Sequence, residues 1–247
     1  MRVALVTGGS GGIGAGIAKR LARDGFAVCL TAHTHPDDGA SVRDRIRASG
    51  GTAESFQADV SCEADVSRVF EEVQSRLGRL DVVVSNAGIW PRATVCDMSV
   101  EEWDQVIETN LRSTFLVSRA AARTFRANGN HGRIVTIASG AASRGAVRGA
   151  HYAASKAGIV AFTKSLALEL AAEGILVNCV APGTVDTPMP RLGMTEAELV
   201  DRANNFIPLG RLGKPEDVAE VVAFLVNDQL TWMTGQTIWL NGGDLMP

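Results

Sequence analysis

Gly8-Gly9-Ser10-Gly11-Gly12-Ile13-Gly14 follows directly on the apolar run Val3-Ala4-Leu5-Val6 and leads into Ala15-Gly16-Ile17-Ala18-Lys19-Arg20-Leu21. No other stretch restricts the fold as strongly. The apolar run has the length of a strand, and Ile13, Ile17 and Leu21 recur at helical spacing. A strand, a glycine turn and a helix in that order predict a βαβ unit whose first turn approaches a phosphate. Glycine lets the backbone turn sharply and come close, and the helix N-terminus offers free N–H groups and the positive end of its dipole. The glycines fit two registers. Gly9-x-Gly11-x-x-Gly14 is the general dinucleotide fingerprint, and Thr7-Gly8-x-x-x-Gly12-x-Gly14 is a more particular one. Both put Gly8, Ser10, Gly12, Ile13 and Gly14 in the turn that would hold a pyrophosphate. Glycine turns also serve as plain connections, but placement at the first strand–helix junction favours cofactor binding.

The rest of the chain repeats the alternation. Strand patterns at 27–31, 53–58, 80–85, 134–138, 175–181 and 237–240 are interleaved with helical patterns at 40–49, 63–77, 100–125, 152–173 and from 214 through 225. This predicts an α/β fold, a single-domain Rossmann-type doubly wound parallel sheet with helices on both faces, spanning 1–247. Residues are 46% hydrophobic but only 5% aromatic, with 26 glycines, as close helix–sheet packing requires. Weak patterning around Met194, Leu199 and Phe206 leaves a segment at about 184–210 that reads either as a helical lid over a substrate or as a merely exposed helix.

Charge and cysteine usage exclude several classes. A formal net charge of -3 and a pI near 5.8 give no electrostatic footprint for nucleic acid or anionic membrane. No apolar run is long enough to span a bilayer, and the chain enters its first strand without a signal-peptide pattern. Cys29, Cys62, Cys96 and Cys179 lie far apart, with no paired metal-ligand spacing. Cys29 and Cys179 sit inside apolar runs and are expected as buried thiols. A reducing, cytoplasmic setting is expected, with no metal.

The chemistry concentrates between Ser139 and Lys156. Tyr152 and Lys156 are four apart, so they share a helix face. A phenol ionises near pH ~10, and an ammonium beside it favours the phenolate. Ser139, at the end of the 134–138 strand, would hold a substrate oxygen against that phenol. Alone, Tyr-x-x-x-Lys is weak and also describes a half-exposed helix start. Asn110 lies within a helical pattern where asparagine is unfavourable; it either serves the site through specific hydrogen bonds or faces solvent. The second strand ends at Ala32-His33-Thr34-His35-Pro36 with no carboxylate before Asp37 and Asp38. The usual acceptor for a ribose 2′-hydroxyl is therefore missing. His33, Thr34 and His35 would donate to a 2′-phosphate, or are exposed loop residues. NADP(H) is favoured, with NAD(H) the alternative. Asp59 either meets an adenine or caps the following helix.

Thr7-Gly8-x-x-x-Gly12-x-Gly14, Asn86-Ala87-Gly88, Asn110, Ser139, Tyr152-x-x-x-Lys156 and Pro182-Gly183 together resemble the short-chain dehydrogenase/reductase family in order and spacing. The resemblance extends over essentially the whole chain, to Asn241-Gly242-Gly243. One departure is Ser85, where the family more often has asparagine; serine keeps a hydrogen-bonding group. The resemblance implies that Tyr152 is the general acid in reduction and the base in oxidation. It implies that Lys156 lowers the pKa of Tyr152 and binds the nicotinamide ribose, that Ser139 orients the substrate oxygen, and that Asn110 holds a relay water. Asp59 and Val60 would face adenine, and Asn86, Ala87 and Gly88 would support the cofactor. Pro182, Gly183, Val185 and Thr187 would lie at the nicotinamide end.

The chain looks broadly like 3-oxoacyl-carrier-protein reductases. Those enzymes tend to carry basic residues near the entrance, whereas here Asn130 precedes His131-Gly132-Arg133 and Glu173 precedes Gly174. Trp90, Met189 and Met194 suggest an apolar pocket wall. Arg144, Arg148 and His151 either line the pocket or are surface groups. These features favour a small free ketone or secondary alcohol, with a 3-oxoacyl thioester as the alternative. A catalytically silent dinucleotide-binding sensor is a third reading, weakened because all four catalytic positions are kept. The family's frequent homotetramers imply the same assembly here.

Overall fold

The computed structural model describes residues 1–129 and 131–246; Asn130 lies outside them. Seven strands form one sheet in the order β3-β2-β1-β4-β5-β6-β7, with every neighbouring pair parallel. They are β1 (Val3–Val6), β2 (Ala27–Ala32), β3 (Thr52–Gln57), β4 (Val82–Ser85), β5 (Arg133–Ile137), β6 (Leu176–Pro182) and β7 (Thr237–Leu240). The helices between them are α1 (Gly12–Arg23), α2 (Pro36–Ala48), α3 (Glu63–Leu77), α4 (Val100–Ile107), α5 (Ser113–Asn128), α6 (Ala141–Arg144), α7 (Ala150–Leu170), α8 (Pro188–Arg191), α9 (Glu196–Asp201) and α10 (Pro215–Leu225). The expected doubly wound sheet is present, and strand and helix limits shift by a few residues from the pattern-based ones.

Strand alternation builds two cores. Val3 and Leu5 face Val69, Val73, Val117, Phe125 and Leu170 on the α3, α5 and α7 side. Ala4 and Val6 face Ile17, Leu21, Ile46, Val218 and Val222 on the α1, α2 and α10 side. Both sheet faces are therefore covered, which is why β1, β2, β4 and β5 are buried at every position. Cys29 and Cys179 are fully buried within these layers. Strand order reverses at β1, between its neighbours β2 and β4. Ligands of such sheets bind at that switch point, outside the carboxyl ends of the strands.

The 100–125 pattern, expected as one helix, is interrupted. Between α4 and α5, Glu108–Arg112 forms a π turn that contains Asn110. Such one-turn widenings are rare and concentrate at functional sites. No helix among the described residues is long and apolar enough to cross a membrane.

Candidate active site

The glycine turn is braced from β4. Asn86 Nδ2 donates to the carbonyls of Thr7 (2.9 Å) and Gly8 (3.1 Å), while the Asn86 and Ala87 N–H groups donate to Thr7 Oγ1 at 3.0 and 3.2 Å. Gly8 and Gly12 adopt φ of +62° and +49°, where side chains are strained. A methyl on Gly14 would come within 2.2 Å of the Gly8 carbonyl oxygen. Gly11, at the N-cap of α1, has nothing within 4 Å of where its Cβ would lie. This open, side-chain-free cradle at a helix N-terminus fits the diphosphate of a dinucleotide. Across the cleft, a methyl on Gly12 would touch Thr187 at 3.3 Å, so the loop after β6 overhangs the turn. Pro182 and Gly183 lie on the same rim, with Gly183 N–H donating to the Leu240 carbonyl. Ser10 and Ile13 lie at the turn, half-buried.

Val60 and Val185 are 7% and 5% exposed and pack into the two cores. Their side chains are taken up by packing, so only main-chain groups remain there for a ligand. Asp59 Oδ1 accepts from Ser61 N (2.9 Å) and Ser61 Oγ (2.7 Å), which shapes the turn before α3. Its other oxygen lies 3.9 Å from His33 Nε2. His33, Thr34 and His35 are exposed at the β2 tip, and Asp37 and Asp38 fall in the first turn of α2.

Tyr152 and Ser139 come together at the floor of a cavity of about 620 Å³, with Lys156 buried behind them. Tyr152 is the third residue of α7 and deeply buried, and Ser139 stands beside its phenol. Burial raises the phenol above its ordinary value, while the Ser139 bond and the charge of Arg92 pull it back. The expected lowering by Lys156 is not the net effect here. Lys156 Nζ donates to the Ile137 carbonyl at 2.9 Å and stands 5.7 Å from the Tyr152 ring centroid. Burial brings the ammonium down to about 8.

Asn110 is fully buried and does not face solvent. Its Oδ1 accepts from Ile89 N–H (2.8 Å), and its Nδ2 donates to the Ile89 carbonyl and to Ser155 Oγ, both at 3.0 Å. Both amide hydrogens are thus spent on protein groups, and Asn110 ties the loop after β4 to α7. Gly88 fits between them: a methyl there would lie 3.1 Å from Asn110 Oδ1 and 3.4 Å from Lys156 Nζ. Ser85 keeps its hydrogen bond, donating to Thr114 Oγ1 at 3.2 Å.

The cavity walls include Trp90, Met189 and Met194, as the sequence suggested. Trp90 stacks on Tyr152 with centroids 4.6 Å apart and planes 12° from parallel. Arg144 lines the cavity and pairs with Asp244. His151 does not line it: the ring is fully buried, and its Nδ1 accepts the Tyr152 N–H at 2.9 Å. Burial holds the imidazole below its ordinary value, so it is neutral with the proton on Nε2. Arg92, Arg202 and Asp244 were not singled out from the sequence. Arg92 and Arg202 line the cavity, and Arg202 Nη2 meets the same Asp244 at 2.5 Å. No spacing rule marks such residues, because the loop at 90–93 and the π turn Arg202–Phe206 converge only through the fold.

Comparison with known proteins agrees with this geometry. Residues 8–244 match a family model described as enoyl-(acyl carrier protein) reductase. The chain is 40% identical over 99% of its length to the 3-oxoacyl-[acyl-carrier-protein] reductase FabG of Escherichia coli, covering 98% of that protein. It is 41% identical to a (3R)-3-hydroxyacyl-CoA dehydrogenase of Mus musculus, over 99% of this chain and 96% of that one. A crystal structure of a short-chain type dehydrogenase/reductase from Mycobacterium marinum superposes with a TM-score of 0.94 at 35% identity, covering 100% of this chain and 96% of the other.

Proposed function

The chain belongs to the short-chain dehydrogenase/reductase family, and from that premise we propose that it interconverts a small ketone and its secondary alcohol with NADP(H), Tyr152 carrying the proton. The observation that supports this most is the meeting of the Tyr152 phenol and the Ser139 hydroxyl at the floor of the cavity, with Lys156 buried one helical turn on. A bound nicotinamide supplies or accepts the hydride. Gly8, Gly12 and Gly14 leave the space for its diphosphate, Asn86 holds that turn in shape, and Pro182, Gly183 and Thr187 rim the opposite side. Ser139 places a hydroxyl beside the phenol, so one substrate oxygen can meet both. Burial keeps Tyr152 protonated at neutral pH, which suits a proton donor to a developing alkoxide. In the oxidative direction the same phenol must first lose its proton, so alcohol oxidation should favour alkaline pH. Lys156 remains charged at pH 7 with a value near 8, available to a ribose hydroxyl.

NADP(H) is preferred over NAD(H) because β2 ends at Ala32, with His33, Thr34 and His35 exposed in place of an acid. Titration of protein fluorescence with NADPH and NADH checks this; tighter NADH binding overturns it. A homotetramer is proposed from the exposed apolar groups Phe115 on α5 and Leu168 on α7, to be checked by light scattering. The four cysteines are unpaired, in keeping with a cytoplasmic setting.

A 3-oxoacyl thioester is the second reading, favoured by the named activities of the Escherichia coli and Mus musculus relatives. Against carrier docking, Glu173 occupies the Arg126 guanidinium at 2.5 and 2.6 Å, which masks a basic group on that surface. A panel of ketones, secondary alcohols and 3-oxoacyl thioesters assayed with both cofactors separates the readings. Tyr152→Phe should lower kcat by about 100-fold or more on any substrate accepted; wild-type turnover in that variant would refute the assigned proton donor.

A further inference from the structure

We propose that the cavity selects carbonyl compounds bearing a carboxylate of their own, and that Arg92 is the residue that holds it; this rests on the ketone–alcohol reading above. The guanidinium of Arg92 lies 4.0 Å over the Trp90 ring, and Trp90 in turn stacks on Tyr152. Arg92 Nε and Nη2 are buried without any hydrogen-bond partner. Arg92 has no ion pair among the described residues, although it lines the cavity. Its neighbours do not offer one. Arg148 opposes its charge. Glu198 favours its charge through space without pairing with it, and Glu198 Oε2 is engaged by Thr195 N and Oγ1 at 2.7 and 2.9 Å.

An unpaired guanidinium in such a place is costly, and a bidentate carboxylate is the partner its planar fork fits best. The arrangement is built rather than incidental. A methyl on Gly193 would fall 1.9 Å from Arg92 Nε, and one on Gly149 would fall 2.6 Å from Trp90 Nε1. The lid backbone and the start of α7 therefore close on the Arg92–Trp90 pair only because both positions are glycine. The wider field agrees. In a chain of net charge -3, the cavity is lined by Arg92, Arg144 and Arg202 and by no aspartate or glutamate. The single carboxylate of Asp244 is shared by Arg144 and Arg202, which leaves an excess of positive charge facing the ligand.

The stack also limits the ligand's length. Arg92 stands one aromatic layer from the phenol, so the carboxylate and the reacting carbonyl are joined by a short spacer. The remote phosphate of a pantetheine thioester does not meet that requirement.

The test uses oxo acids with one to four carbons between ketone and carboxylate, each paired with its methyl ester. They are assayed on the wild type, Arg92→Gln and Arg92→Lys. At the best spacer the wild type should prefer acid to ester in kcat/KM by about 100-fold. That ratio should fall to about 1 in Arg92→Gln and lie between in Arg92→Lys, which keeps the charge but loses the fork. Equal use of acid and ester by the wild type, a preference that survives Arg92→Gln, or a neutral 3-oxoacyl thioester that outpaces every acid would overturn the proposal. Calorimetric titration with the matching saturated carboxylates and their amides keeps the two levels apart. Carboxylate binding that requires Arg92 supports the anion site even if no ketone is reduced. Ketone reduction without acid preference sinks the anion site and leaves the reductase reading standing.

Discussion

Replacing Lys156 by methionine should make the cofactor-free protein more stable while removing its activity. Lys156 is 4% exposed, and burial brings its value from 10.5 to about 8. That difference corresponds to roughly 3 kcal/mol spent on holding the ammonium out of water. Methionine has a similar length and no charge. It leaves the Ile137 carbonyl without its 2.9 Å donor, a loss of about 1–2 kcal/mol. The net gain at pH 7 is then about 1–2 kcal/mol, or about 2–8 °C in Tm for a domain of this size.

The pH dependence supplies the sharper test. The unfolded lysine keeps its proton to about 10.5 and the folded one releases it near 8. Between these values the unfolded chain binds more protons, so stability rises with pH. Below pH 8 the penalty is present in full. Wild type should therefore gain about 1.4 kcal/mol between pH 7 and 9 relative to Lys156→Met. Cys29 works in the opposite sense, because burial raises its thiol from 9.0 to about 12. Its stabilising contribution is lost as pH climbs from 9 through 12, equally in both proteins, and cancels in the difference. Urea unfolding of the two apoproteins at pH 7, 8 and 9 reads the effect. A variant less stable than wild type at pH 7, or a difference constant across that range, would refute the reasoning.

Asn110→Ala should cost about 2–4 kcal/mol, because a buried Ile89 N–H and carbonyl and the Ser155 hydroxyl all lose a partner; a shift below about 1 kcal/mol in urea unfolding would mean the loop after β4 is held by other contacts. Gly14→Ala should abolish dinucleotide binding in fluorescence titration, since the added methyl meets the Gly8 carbonyl at 2.2 Å and Asn86 Nδ2 at 2.6 Å. Retained affinity in that variant would place the diphosphate elsewhere.

Much of this site was legible because its residues are fixed by local chemistry. Gly8, Gly12 and Gly14 follow from what a phosphate turn demands, and Tyr152 and Lys156 from helical spacing. The π turn was not legible. One extra residue in a helix shifts the apolar stripe by a single position, so 100–125 reads as continuous although Asn110 sits where hydrogen bonding widens. Val60 and Val185 take their place from a motif, and the packing of their side chains into the cores was not readable from it. His151 looked like a site residue by adjacency alone; at the start of α7 its ring turns inward and accepts its neighbour's N–H. Arg92 lay beyond reach for the opposite reason. Nothing local distinguishes a lone loop arginine from a solvated one, and only the tertiary fold buries its Nε and Nη2 without a hydrogen-bond partner.

The carboxylate of Asp244 joins Arg144, 100 residues earlier, to Arg202. During synthesis the glycine turn, the sheet from β3 through β5 and the catalytic phenol all precede it, and domains begin to organise from the N-terminal side. Both cavity arginines share this one counterion. Closing the substrate pocket therefore depends on a contact between residues 100 apart in sequence, whereas the glycine turn is built from neighbours.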